Sequence, residues 1–113
     1  MRIPERFTDE ELSCPDCGKL PDIRSIEMLY AMRLIMDVPL IINSGARCPE
    51  YNEGVGGSKN SAHLIGAFDI QAIPEKEYEM IRVAQAVGFT GIGFKDNSFL
   101  HVDRHHDKQV WGY

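Results

Sequence analysis

Between Thr90 and Asp103 two strand-like runs, Thr90–Phe94 and Phe99–Asp103, are separated only by a turn at Lys95-Asp96-Asn97. A link this short joins antiparallel neighbours, because parallel neighbours need a crossover of a dozen residues or more. The sheet is therefore at least partly antiparallel, and a doubly wound parallel fold is excluded. Upstream, Ile23, Ile26, Leu29, Tyr30, Met32, Leu34 and Ile35 mostly recur at helical spacing behind Asp22 as N-cap, which predicts an amphipathic helix over Asp22–Met36. Met28, Met32 and Met36 fall on that spacing as core. Pro39–Ser44 reads as a short buried strand, Ala67–Ile73 as a second strand stopped by Pro74, and Glu75–Val87 as a second helix ended by Gly88. Thr8-Asp9-Glu10-Glu11 has the order of an N-cap followed by first-turn acids, so a short helix is expected near 8–12. Gly45–Asn60 reads as a long, polar, glycine-rich loop of the functional kind, and the polar tail Arg104–Tyr113 as packing back through Val110-Trp111. The expected fold is α+β, a small antiparallel sheet packed by helices, in one domain over residues 1–113.

At 113 residues and 43% hydrophobic content the chain can build one core without staples, since a domain of this size buries roughly two-thirds of its unfolded surface. No stretch approaches the ~20 apolar residues of a membrane span. Twelve Lys and Arg against seventeen Asp and Glu leave a net charge of -5, which argues against a nucleic-acid or anionic-membrane partner. A monomer is expected. The stretch MRIPERFTDEELSCPDCG is acidic and lacks the apolar core of a secretory signal, so the expected location is the cytoplasm of the producing cell. Three cysteines are too few for a disulfide framework.

The four histidines, His63, His101, His105 and His106, carry most of the functional information. A catalytic zinc site takes three protein ligands and leaves one position open, and His63, Asp69 and His101 suit it. His63 ends the glycine-rich loop, and Asp69 opens the apolar part of a strand, where an acid needs a partner or a metal. His101 and Asp103 are two apart in a strand and share a face, the arrangement for a metal-activated water and its general base. Each position also has an ordinary reading, as a structural strand histidine or a capping aspartate.

Three ordered segments, Ser44-Gly45-Ala46-Arg47-Cys48-Pro49-Glu50-Tyr51-Asn52, Ser61-Ala62-His63-Leu64-Ile65-Gly66-Ala67-Phe68-Asp69-Ile70 and Phe99-Leu100-His101-Val102-Asp103, resemble the zinc peptidases that cut peptidoglycan stem peptides. These are the D-Ala-D-Ala carboxypeptidases and L-alanyl-D-glutamate endopeptidases, whose core is shared with the vancomycin-resistance D-Ala-D-Ala dipeptidase and the hedgehog signalling domain. The resemblance runs over about residues 7 to 111. It implies a hedgehog/DD-peptidase-like fold with one Zn2+ held by His63, Asp69 and His101. Arg47 would bind substrate and polarise the scissile carbonyl, and Ser61 would hydrogen-bond substrate. Outside such a family, Arg47 would read as a surface ion pair and Ser61 as a loop cap.

Two departures stand out. Five residues separate His63 from Asp69 where the family usually has six. The dipeptidase branch places a Glu three residues before the last histidine, where this chain has Ser98. Asp103 is then the expected general base, with Asp96 and His105 behind it; if Asp103 only orients His101, activity is low or absent. The expected function is hydrolysis of a stem-peptide bond, of either type, by a phage lysis enzyme or a tail-associated one that reaches the wall after release. The alternative is a catalytically inactive zinc-binding structural or assembly domain of the same fold. Cys14 and Cys17 read as reduced or locally structural thiols, with a structural metal (Cys48 as a further ligand) or a redox pair as the other readings. His105-His106 reads as solvated, and Trp111 as a cover for the core.

Overall fold

The computed structural model describes residues 7–57, 63, 66–105 and 107–113. In chain order the elements are α1 (Asp9–Leu12), α2 (Ile23–Met36), β1 (Ile42–Ser44), α3 (Pro49–Gly54), β2 (Ala67–Gln71), α4 (Glu77–Val87), β3 (Gly91–Lys95), β4 (Phe99–Asp103) and β5 (Gln109–Gly112). Thr8 and Glu11 form a reciprocal capping box on α1. The Asp22 carboxylate accepts the Ser25 N–H at the start of α2, as its sequence position predicts.

The five strands lie in the order β1-β2-β4-β3-β5. β4 is central, antiparallel to both β2 and β3, so the β3–β4 hairpin forms as expected. β5 pairs with β3 in parallel, which makes the sheet mixed rather than purely antiparallel. β5 lies on the far side of β3 from β4, at the sheet edge.

Strand alternation sorts the two faces. Phe68 and Ile70 of β2, Ile92 of β3, and Leu100 and Val102 of β4 are buried against Leu29 and Met32 of α2 and Met80 and Ala84 of α4. Each large apolar side chain buried in this way contributes on the order of 1.5–3 kcal/mol. The intervening residues Asp69, His101, Asp103, Gly91 and Gly93 share the opposite face.

Several boundaries depart from expectation. The Pro39–Ser44 run yields a strand of three residues at the sheet edge, with Ile41 56% exposed, so it is not a buried strand. In α2 the buried positions are Ser25, Leu29, Met32, Arg33 and Met36. Ile23, Leu34 and Ile35 lie off that stripe and face solvent. The expected loop after Gly45 contains α3, with Pro49 in its first turn. α4 starts two residues later than expected because Glu75 sits at φ +67, outside helical geometry.

Candidate metal centre

The β2–β4 register puts Asp69 directly opposite His101, and opposed residues of an antiparallel pair project to one face. The same row continues to Ser44 on one side and to Gly93 and Trp111 on the other. Asp69 Oδ1 is 3.0 Å from His101 Nδ1, and Asp69 Oδ2 is 3.2 Å from His63 Nε2. The three sequence-expected ligands are thus together, with one ligand atom from each within 4.8 Å of the others. Both rings are buried, while the Asp69 side chain keeps 20% exposure. The cluster is therefore enclosed on the protein side and open at the carboxylate. The His63–Asp69 separation of five residues is compatible with this convergence.

The outward nitrogens of the two rings are already committed. His63 Nδ1 lies 2.6 Å from the Gly45 carbonyl oxygen, which can only accept, so Nδ1 carries a proton and Nε2 is the nitrogen turned toward Asp69. His101 Nε2 lies 2.6 Å from Asp103 Oδ2, which leaves Nδ1 turned toward Asp69. Histidine ligands of metals are commonly held in this way, one nitrogen donating to a carbonyl or carboxylate and the other free for the ion. Two imidazole nitrogens and one carboxylate oxygen also form a donor set that zinc accepts. The residues present fit the metal.

Electrostatics point the same way. Burial raises the Asp69 carboxyl, but hydrogen bonds and charge from His101 and His63 outweigh it and hold the group well below the usual carboxylate range. Burial lowers the His101 imidazole, yet Asp103 and Asp69 on either side push it up to about 9. The site concentrates negative charge around His101, and a proton and a divalent cation compete for the same nitrogen.

Arg47 stands beside the cluster, with Nη2 4.0 Å from Asp69 Oδ2. Its Nη1 donates to Asn52 Oδ1 at 3.2 Å and its Nη2 to Ser44 Oγ at 3.5 Å. Its Nε is buried with no hydrogen-bond partner among the described residues. A Cβ on Gly57 would fall 2.0 Å from Asn52 Oδ1 and 3.0 Å from Arg47 Nη1, so a glycine there makes room for this pair.

Asp103 is placed differently from a base that faces the cluster. It is fully buried; Oδ2 is taken by His101 Nε2, on the far side of the ring from Asp69, and Oδ1 accepts the His105 N–H at 3.0 Å. Gly91 opposes it in β3, where a Cβ would fall 2.4 Å from Asp103 Oδ1. Asp96 is exposed in the β3–β4 turn, and His105 is exposed after β4. Ser61 and His106 lie outside the described residues.

Two contributors escaped the sequence reading. Trp111 is not a core cover: its ring lies 5.7 Å from the His101 ring on the metal-site face. It reaches there across Gly93, where a Cβ would meet the indole at 2.6 Å and Tyr113 at 2.7 Å. The Gly45 carbonyl also sets the His63 tautomer, a backbone role that no side-chain motif announces.

Residues 5–103 match the family described as Peptidase M15. No curated protein matches the chain significantly.

Proposed function

The chain belongs to the peptidase M15 family, and on that footing we propose that it is a zinc-dependent hydrolase of bacterial peptidoglycan stem peptides, of the D-Ala-D-Ala carboxypeptidase or L-alanyl-D-glutamate endopeptidase type. The observation that carries this reading is the convergence of His63 Nε2, Asp69 and His101 Nδ1, with the outer nitrogen of each ring already hydrogen-bonded. When bound by these three residues, zinc supplies a Lewis acid that polarises a carbonyl and acidifies water.

The chain's own residues do the rest. The Arg47 guanidinium, a fixed charge 4.0 Å from Asp69, binds the substrate carbonyl or carboxylate and stabilises the oxyanion as it develops. Ser61 adds a hydrogen bond to the peptide. Asp103 acts as a positioning residue: it keeps the His101 proton on Nε2, fixes the ring and raises the basicity of Nδ1. Each of its oxygens is engaged, Oδ2 by His101 on the side of the ring away from Asp69 and Oδ1 by the His105 N–H. We take the chain as one zinc peptidase domain of the hedgehog/DD-peptidase type over 1–113, acting as a monomer after release from the producing cell, with neither nucleic acid nor membrane as partner. No described helix is long and apolar enough to cross a membrane.

A second reading keeps the metal and loses turnover, leaving a zinc-binding structural or assembly domain. It is favoured by one observation, the burial and full engagement of Asp103 together with Ser98 at the position where the dipeptidase branch has its acid. Zinc-loaded protein incubated with defined muropeptides, with products identified by mass spectrometry, separates the two. Release of D-Ala or scission between L-Ala and D-Glu, lost in His63→Ala, supports the peptidase and names the bond. Zinc bound with every muropeptide intact supports the binding domain.

A further inference from the structure

Outside the histidine cluster, one other group of side chains among the described residues has the makings of a metal site. Cys14, Cys17 and Cys48 bring their sulfurs within 4.8 Å of one another. Cys14 and Cys17 lie on a tight turn closed by Gly18 N–H to the Cys14 carbonyl at 2.9 Å and Cys14 N–H to the Lys19 carbonyl at 2.8 Å. Gly18 takes φ +75, a conformation that favours glycine, so that the chain can double back. Cys48 enters from the segment before α3, its N–H donating to Cys14 Sγ at 3.4 Å. The Cys14 and Cys48 sulfurs are 3.5 Å apart, and all three cysteines are free. That distance exceeds the roughly 2.05 Å of a disulfide and suits two sulfurs around a common ion.

We propose that Cys14, Cys17 and Cys48 hold a second, thiolate-bound divalent cation, zinc by preference, whose role is structural. Three sulfurs fill three corners of a tetrahedron, and the Asp16 carboxylate, with Oδ2 3.8 Å from Cys48 Sγ, is within reach of the fourth, as the closed coordination of a structural site requires. Soft thiolates select zinc over hard cations such as magnesium or calcium. Burial alone would push the Cys14 thiol up, but backbone N–H groups of Cys48, Cys17 and Asp16 outweigh it and bring it down to about 7. The Tyr51 N–H favours the Cys48 thiolate, yet burial and the neighbouring Cys14 and Cys17 sulfurs push that thiol up to about 12. The incoming cation displaces the thiol protons to solvent, with no change of oxidation state.

The location gives the ion a purpose. The turn follows α1, and α1 is already tied to the site segment, since Ala46 N–H donates to the Leu12 carbonyl at 2.9 Å. A Cβ on Gly45 would fall 2.3 Å from that same carbonyl oxygen. A cation across Cys14, Cys17 and Cys48 thus clamps residues 12–18 onto 45–48, the stretch that supplies the Gly45 carbonyl for His63 and carries Arg47.

Cobalt substitution tests this on the whole chain, purified under reducing conditions. The wild type should take up two Co2+ per chain and show an intense near-ultraviolet thiolate-to-cobalt band. Cys17→Ser, at an exposed position that folding tolerates, should bind one cobalt and lose most of that band. His101→Ala should also bind one, with the band intact, so a failure of the histidine site is distinguishable from a failure of this one. Two results overturn the proposal: cobalt-loaded wild type without the thiolate band, or a Cys14–Cys48 disulfide in peptide maps of reductant-treated, zinc-supplemented protein.

Discussion

Asp69 and His101 meet because β2 and β4 pair in one register, whereas Cys14 and Cys17 meet because four residues of chain double back on themselves. The histidine cluster is assembled from residues 63, 69 and 101 on a sheet whose other face is the core. The cysteine cluster needs only one distant residue, Cys48. Their supports differ as well. The rings of the first are fixed by a carbonyl and a buried carboxylate, while the sulfurs of the second are cradled by backbone N–H groups. Catalytic geometry demands placement within a fraction of an ångström, which a sheet supplies; a clamp needs only ligands that can be drawn in.

The hardest blow to the comparison is His101→Ala. It should abolish peptidase activity and empty the histidine cluster while leaving the cysteine cluster loaded, as read by metal content and hydrolysis side by side. Loss of both ions would show that the two sites form one unit. Next comes Asp103→Asn, which keeps the shape and removes the charge behind His101. Zinc affinity should fall about 10- to 100-fold, the usual effect of losing such a partner, and activity should return at saturating zinc. If zinc saturates and activity stays lost, Asp103 is the base after all.

Gly93→Ala acts through the sheet row alone. The new methyl would meet Trp111 at 2.6 Å, and overpacking of this kind costs about 1–3 kcal/mol. The melting temperature should drop and the emission of the single tryptophan should shift, with the cysteine site unaffected; an unchanged emission spectrum would refute the contact. The smallest effect belongs to Asp22→Asn. Asp22 Oδ2 pairs with Arg104 Nη2 at 2.9 Å beside the start of β2. Burial raises this carboxyl, but Ser25 and Arg104 outweigh it and hold it below its ordinary value. Its contribution is therefore present at neutral pH and fades as pH falls through the depressed pKa. Asn still caps a helix, so the variant should lose no more than about 1 kcal/mol at pH 7 and show a shallower acid limb in thermal melts.

What could be read from the sequence was local. The Thr8–Glu11 cap, the Asp22 cap and the bounds of β4 follow from short-range chemistry, and the structure has them where the residues predict. α3 was hidden because glycines at 54, 56 and 57 dominate its surroundings, although Pro49-Glu50 is a fair helix start. β5 was hidden because a polar edge strand has no apolar alternation; Val110 is 49% exposed and is held by pairing to β3. The candidate metal ligands could be named by residue type and motif, but their meeting depends on a cross-strand register. The orienting place of Asp103 depends on which ring nitrogen faces inward, and no one-dimensional pattern encodes that.

The central strand has a consequence for engineering. His101 and Asp103 of β4, with Asp69 of neighbouring β2, form an ionic chain through the middle of the sheet, and Asp103 has no exposed surface. Buried ion pairs are often less favourable than well-packed hydrocarbon of equal volume, while removing one member alone strands its partner. A variant with His101 and Asp103 replaced together by aliphatic residues should thus melt higher than either single variant. The central strand is thus also a place where the needs of the site are met at the expense of thermal resistance.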